Sequence, residues 1–187
     1  MRGISPIPFP HVRSVPRAPM RPHSTEEPVD ADRIVEHFVH RGILRRNGQA
    51  ARVIRSIFTA PPEALRVGRM ARRIHLSRRT LGRRLQVEGV PAPVDWNALA
   101  RVVLAHKTIL RGGPLRDAAW AAGYHDQFTM SNAIHRITAL RPSQLRDVNR
   151  EELLDTWIAR QRERGTLTGP PPVPPHICPL CKGVRAS

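Results

Sequence analysis

The densest group of chemically active side chains is a run of arginines between residues 66 and 88. That segment contains eight arginines and one acidic residue. Guanidinium groups stay charged at neutral pH, and their forked donors fit phosphate oxygens and the edge of guanine. An ordinary solvent-exposed helix mixes both charge signs because like charges repel. The segment therefore predicts contact with phosphates, and four of its arginines lie on one predicted helix: Arg78, Arg79, Arg83 and Arg84.

The two cysteines, Cys178 and Cys181, form a C-P-L-C turn that resembles one knuckle of a zinc ribbon. A structural zinc site needs four ligands, and His176 is the nearest third candidate. The fourth ligand has to come from another histidine or from a second chain. Two interpretations stay open: a weak zinc site, within one chain or between chains, and two incidental thiols. The cysteines are too close together to staple a fold, so they imply no oxidising compartment.

Composition favours a polyanionic partner and argues against other classes. The formal net charge is +16 and the isoelectric point is about 11.7. We find no Ser/His/Asp arrangement, phosphate-cradling glycine loop or paired carboxylates, so we expect no enzyme activity. No apolar run approaches the roughly 20 residues that span a bilayer. We therefore expect a cytoplasmic, nucleoid-associated protein that binds no membrane.

The arginines need helices to position them, and the apolar spacing indicates the same helical motif twice. One helix-turn-helix pattern occupies residues 67–87, and a second occupies residues 114–137. Their apolar stripes are offset by 48 positions in the first helix (115 − 67) and by 49 in the second (130 − 81). A connecting helix is predicted from Val94 to about Leu110. The sequence thus predicts two copies of one motif, held apart by one helix.

Each copy needs a corner at which one helix ends and the next begins. In the second copy, Gly123 accepts a left-handed backbone, Tyr124 fills the angle between the helices, and Asp126 caps the new helix. In the first copy, His75 takes the glycine position at some conformational cost, and Ser77 is the cap. These corners predict that the second helix of each copy projects sideways, as a helix must to enter the DNA major groove.

The remaining segments are predicted to be tails and accessory helices. Residues 1–28 combine proline and arginine without regular apolar spacing, which indicates a disordered basic tail. We assign residues 29–49 to an accessory helix and loop, and residues 149–165 to a C-terminal amphipathic helix. Residues 166–187 form a Pro-rich tail with the CxxC motif. The predicted fold class is all-α: two helix-turn-helix subdomains, a long linker helix and disordered Pro-rich tails.

Residues 50–148 resemble the DNA-binding domain of the AraC/XylS family of bacterial transcription regulators. The second copy has the family's glycine-aromatic-x-aspartate opening at Gly123–Asp126, late apolar residues at Met130 and Ile134, and a proline before the final helix at Pro142. It departs from the family at Ala139, where a glycine is usual. The first copy matches at Ala71, Ile74, Ser77, Leu81 and Leu85.

The resemblance implies a sequence-specific transcription regulator whose two recognition helices enter successive major grooves about 34 Å apart. Its partner is double-stranded DNA, and an activator would also contact RNA polymerase. Residues 1–49 are too short for a separate effector-binding domain, so none is evident. The implied DNA-binding residues are Ser77, Arg78, Arg79, Arg83, Arg84, Gln127, Phe128, Thr129, Asn132 and Arg136.

The chemistry of these residues supports base recognition only in part. Arginine pairs with guanine, glutamine and asparagine pair with adenine, and Phe128 fits a thymine methyl group. Gly82, also expected to face the groove, has no side chain with which to contact a base. The arginines alternatively grip phosphates only, which gives affinity without sequence information. A second hypothesis is a protein-interaction adaptor with a degenerate DNA-binding fold and a CxxC tail.

Overall fold

The computed structural model describes residues 29–168, and the apolar spacing of this part of the sequence produces helices joined by short turns and loops. This part contains eight α-helices and two short 3-10 helices, and none of its residues is in a β-strand. The fold class is therefore all-α, as predicted. The α-helices are α1 Ala31–His40, α2 Gln49–Phe58, α3 Val67–Arg73, α4 Arg78–Val87, α5 Pro93–Leu110, α6 Leu115–Ala121, α7 Gln127–Thr138 and α8 Arg150–Glu163.

Helix starts are set by side-chain caps where the sequence predicts them. Ser77 Oγ accepts the backbone N–H of Thr80 at 3.0 Å and so caps α4. Asp126 caps α7 in the same way, through the N–H of Thr129 at 2.8 Å. Each cap satisfies one of the free donors at a helix start and is worth about 1 kcal/mol in comparable proteins. Both sequence-predicted caps are confirmed.

The linker helix α5 forms the centre of the core. Trp96 is fully buried and packs against Phe38 of α1 and Trp157 of α8, with ring centroids 4.9 and 4.7 Å apart. Towards its other end, His106 is buried and its Nε2 lies 2.8 Å from the carbonyl oxygen of Val148. Burial lowers the pKa of His106, because it disfavours the charged form of the ring. The linker helix thus contacts α1 and α8, the first and last helices of the described residues.

Two segments differ from the sequence prediction in detail. The linker helix begins at Pro93, one residue before the predicted start, because proline fits the first helical position. The segment after Pro142, where the family has its final helix, is only a 3-10 turn over Gln144–Arg146. The predicted disorder of residues 1–28 concerns residues outside the described part, as does the Pro-rich tail from residue 169 onwards.

Candidate nucleic-acid interface

The corner of the first copy is a left-handed residue without glycine. His75 has φ +54°, and Ile74 ends α3 immediately before it. A backbone bond from Leu76 N–H to the carbonyl of Ala71, at 2.8 Å, closes the turn. The side chains of Met70 and Ala71 are buried beneath α4, together with Leu81 and Leu85 of that helix. The corner confirms that histidine occupies the predicted positive-φ position.

All four arginines of α4 are exposed, but they are not equivalent. Arg78 lies directly against Gly68, where a β-carbon would collide with its guanidinium group. Arg84 Nη1 donates to Gln49 Oε1 of α2 at 3.2 Å. Within the described residues, Arg79 and Arg83 have neither a hydrogen bond nor an ion pair. Arg78 has no such partner there either, although its guanidinium group lies against Gly68. Of the four arginines, Arg84 is thus the one whose donors are engaged by the described part of the protein.

The acidic residue of this Arg-rich segment does not face outwards. Glu88 Oε1 accepts the backbone N–H of Ala50 at 2.9 Å, so it caps α2, whose own cap residue Gly48 has no side chain. Its other oxygen, Oε2, is buried. Sequence analysis missed this role because the two partners are 38 positions apart. The carboxylate thus lies at the start of α2, where a negative charge is favourable.

The second copy has the corner that its sequence predicts. Gly123 has φ +72°, and a β-carbon there would lie 3.2 Å from Pro62 Cβ. Tyr124 is half-buried against the core, with Arg101 of α5 5.3 Å from its ring centroid. Ala118, Ala119 and Ala122 are fully buried, which lets α6 cross α7 at close range.

The exposed start of α7 carries polar and aromatic groups and few charges. Gln127, Phe128 and Asn132 are exposed, and Phe128 is 73% accessible although it is one of the largest apolar side chains in the helix. Thr129 is committed to the cap, because its Oγ1 donates to Asp126 Oδ2 at 2.8 Å. These hydrogen bonds hold the pKa of Asp126 below its usual value. The helix start therefore offers amides and one aromatic ring to a ligand.

Arg136 lies one turn beyond Asn132 on the same face of α7, and both side chains are exposed. Burial raises the pKa of two neighbours of Arg136, Asp95 and Tyr124. The positive charge of Arg136 lowers both pKa values, but by less than burial raises them. Arg136 thus lies near the linker helix and the corner tyrosine. Its side chain is exposed, which allows the phosphate contact that the sequence predicts.

An exposed tryptophan of α6 is a further surface feature that sequence analysis passed over. Trp120 is 55% accessible, and Arg116 lies 4.9 Å from its ring centroid. Its exposure could have been predicted from the sequence, because Trp120 lies outside the stripe of alanines that α6 buries. The pair presents a cation stacked on an aromatic face beside the second copy.

The predicted metal ligands His176, Cys178 and Cys181 lie outside the described residues. Between residues 29 and 168, no group of three or more metal-ligating side chains is close enough to hold an ion. In the same range, no helix has the length and apolarity needed to cross a membrane.

Residues 70–147 match a family model described as a helix-turn-helix domain, of the AraC type. The match covers most of the first copy, the linker helix and the whole second copy, and it leaves α1, α2 and α8 outside. No curated protein and no solved structure gives a significant match to the chain. The family match supports a DNA-binding transcription regulator in general, and domains of this type are generally non-enzymatic.

Proposed function

We propose, from the premise that residues 70–147 are an AraC-type helix-turn-helix domain, that the protein binds specific duplex DNA through both copies at once. In this proposal the DNA-binding domain extends over residues 50–148. Helices α4 and α7 enter successive major grooves on one face of the duplex. The protein acts as a transcription regulator at the bacterial nucleoid, and RNA polymerase is a further partner if it activates.

The observation that carries the proposal is the pair of exposed helix starts on one hydrophobic core. Each begins with a side-chain cap, Ser77 or Asp126, and each follows a corner residue with a left-handed backbone. Side chains next to these caps are exposed and have no task in the core. This is the arrangement in which the first turns of a recognition helix meet base edges.

The two helices are suited to different parts of a DNA site. Helix α4 offers Arg79 and Arg83, which fit phosphates or guanine. Helix α7 offers Gln127 and Asn132 for adenine and Phe128 for the methyl group of thymine. We therefore expect A·T base pairs to be specified under α7, and charge to dominate under α4.

The test is binding of the purified full chain to a randomised duplex library at about 50 and 200 mM salt, followed by sequencing of the retained DNA. We expect an enriched motif of roughly two helical turns, with binding that weakens steeply as salt rises. Salt-sensitive binding without enrichment would reduce the proposal to phosphate contact. No binding at either salt would overturn it and favour the protein-interaction adaptor.

A further inference from the structure

We propose that α1 and α8 form a brace that fixes the distance and orientation of α4 relative to α7, with Asp155 as the positioning residue that closes it. Both helices lie outside the family match at residues 70–147. The consequence for DNA, a fixed spacing between the two contacted grooves, rests on the proposed function. The geometry of the brace itself does not.

The linker helix does not hold the two copies equally. It packs far more extensively on α6 and α7 than on α3 and α4. The contact of Arg101 with the Tyr124 ring also belongs to the second copy. Helix α5 is therefore mechanically part of the second copy, and the orientation of the first copy depends on additional contacts.

Those contacts run through α2. The cap from Glu88 Oε1 to Ala50 N–H and the bond from Arg84 to Gln49 both join α4 to the start of α2, at 2.9 and 3.2 Å. The buried face of α2 packs in turn on α1 and on α5. The first recognition helix is thus attached to α1 through one intermediate helix.

The connection from α1 to α8 is a partly buried ion cluster centred on Asp155. His37 Nε2 lies 2.8 Å from Asp155 Oδ1, and since a carboxylate oxygen only accepts, the proton is on Nε2. Arg41 Nη2 donates to Asp155 Oδ2. Beside the cluster, the rings of Phe38 and Trp157 pack edge to face with centroids 5.6 Å apart. Both carboxylate oxygens therefore join α8 to α1.

Helix α8 also packs on α7, the second recognition helix, so the series of contacts that begins at α4 ends at α7. The inward face of α8 is apolar and fully buried at Leu153 and Trp157. The two recognition helices are thereby connected through α5, on which α2 and α8 also pack, and in addition along α4, α2, α1, α8 and α7. A second connection resists a rotation that a single helix allows, so loss of Asp155 should loosen the first copy relative to the second.

The first measurement does not involve DNA. Spin labels are attached at Gln86 of α4 and His135 of α7, both exposed and both replaced by cysteine, in a full chain in which Cys178 and Cys181 are changed to serine. The distance distribution between the labels is recorded for this chain and for Asp155→Asn. We expect a broader distribution in the variant. An unchanged width in a variant with native helix content would overturn the brace.

Glu163→Gln is the matched control. It also replaces a carboxylate of α8, but its ion-pair partner is Arg160 on the same helix, at 2.8 Å. We expect it to leave the distance distribution unchanged. If Asp155→Asn does not fold, Arg41→Glu combined with Asp155→Arg exchanges the two charges across the same contact. This double variant should restore the narrow distribution that Arg41→Glu alone loses, and failure to restore it would overturn the proposal.

The second measurement uses the selected DNA site with one base pair added to, or removed from, its centre. Each step moves the half-sites by about 3.4 Å and turns them by about 34°, so a braced protein should lose about tenfold in affinity. We expect Asp155→Asn to reduce that loss to about threefold. An equal loss in both chains would overturn the brace with DNA binding intact. Absence of binding in both chains would overturn the proposed function alone, because the label distances decide the brace separately.

Discussion

His75 and Gly123 occupy equivalent corners, with φ +54° and +72°, yet the helices that follow them carry different surfaces. Helix α4 has four exposed arginines, and its nearest acid, Glu88, is turned to α2. Helix α7 begins with amides and a phenyl ring. The corner geometry therefore depends on backbone and caps, while the exposed surface varies independently of it.

This comparison predicts that the two copies of the motif contribute differently to DNA binding. Guanidinium groups without protein partners supply attraction to any duplex, and amides on a capped helix start supply selectivity. If both copies bind DNA as proposed, we expect the first to provide most of the affinity and the second most of the discrimination.

The largest effect should come from Arg79→Gln combined with Arg83→Gln. Two charge-assisted contacts of about 1.5 to 3 kcal/mol each predict a loss of affinity of roughly a hundredfold or more. The slope of log affinity against log salt should fall by about 2. Fluorescence anisotropy over a salt series measures both quantities.

Two further variants make the result specific to α4. Arg33→Gln removes an exposed arginine of α1 that pairs with Asp30 and should leave the salt slope unchanged. Gln127→Ala with Asn132→Ala should keep the slope and lose the base preference. Equal slope changes in all three variants would mean that bulk charge alone drives binding and that the copies are not specialised.

Substitutions at the two corner residues should change the free energy of unfolding in opposite directions. Gly123→Ala places a β-carbon on a left-handed residue and against Pro62, which should lower the free energy of unfolding by about 1 to 3 kcal/mol. His75→Gly relieves the same backbone strain and should raise that free energy by up to about 1 kcal/mol. Urea unfolding followed by circular dichroism measures both. Destabilisation by His75→Gly would show that the imidazole makes a contribution beyond its backbone conformation.

The smallest effect concerns a single methyl group. Replacing thymine by uracil in the part of the selected site beneath α7 removes the methyl that Phe128 is expected to contact, at a cost of about 0.8 kcal/mol. The same replacement should cost nothing in Phe128→Ala, nor in wild-type protein when made beneath α4. A uracil effect that persists in Phe128→Ala would assign the methyl contact to another side chain.

Local features of the candidate site were predictable from sequence, because their partners are a few residues apart. The caps Ser77 and Asp126 bond three positions ahead, and Gly123 marks its own corner. The buried stripes follow from helical periodicity in the same way. The left-handed conformation of His75 also follows by alignment of the two copies.

Contacts between distant segments were not predictable. Glu88 with Ala50 and His37 with Asp155 are separated by 38 and 118 positions, and nothing in either local pattern names the partner. The distinction among the α4 arginines has the same origin, because it depends on where Gly68 and Gln49 come to lie in the fold. Sequence periodicity gives the face of a helix, and only packing decides what that face meets.

Gly82 is a position at which the exposed surface of α4 can change during evolution. It lies within α4 between Arg79 and Arg83, and a β-carbon there would meet nothing within 4 Å. A larger residue would also favour the helix by about 1 kcal/mol relative to glycine. A single substitution at this position therefore adds an exposed side chain to α4 without disturbing the core, and under the proposed function that side chain is expected to face the groove. Under the proposed function, we expect new target preferences to arise in the first copy more readily than in the second.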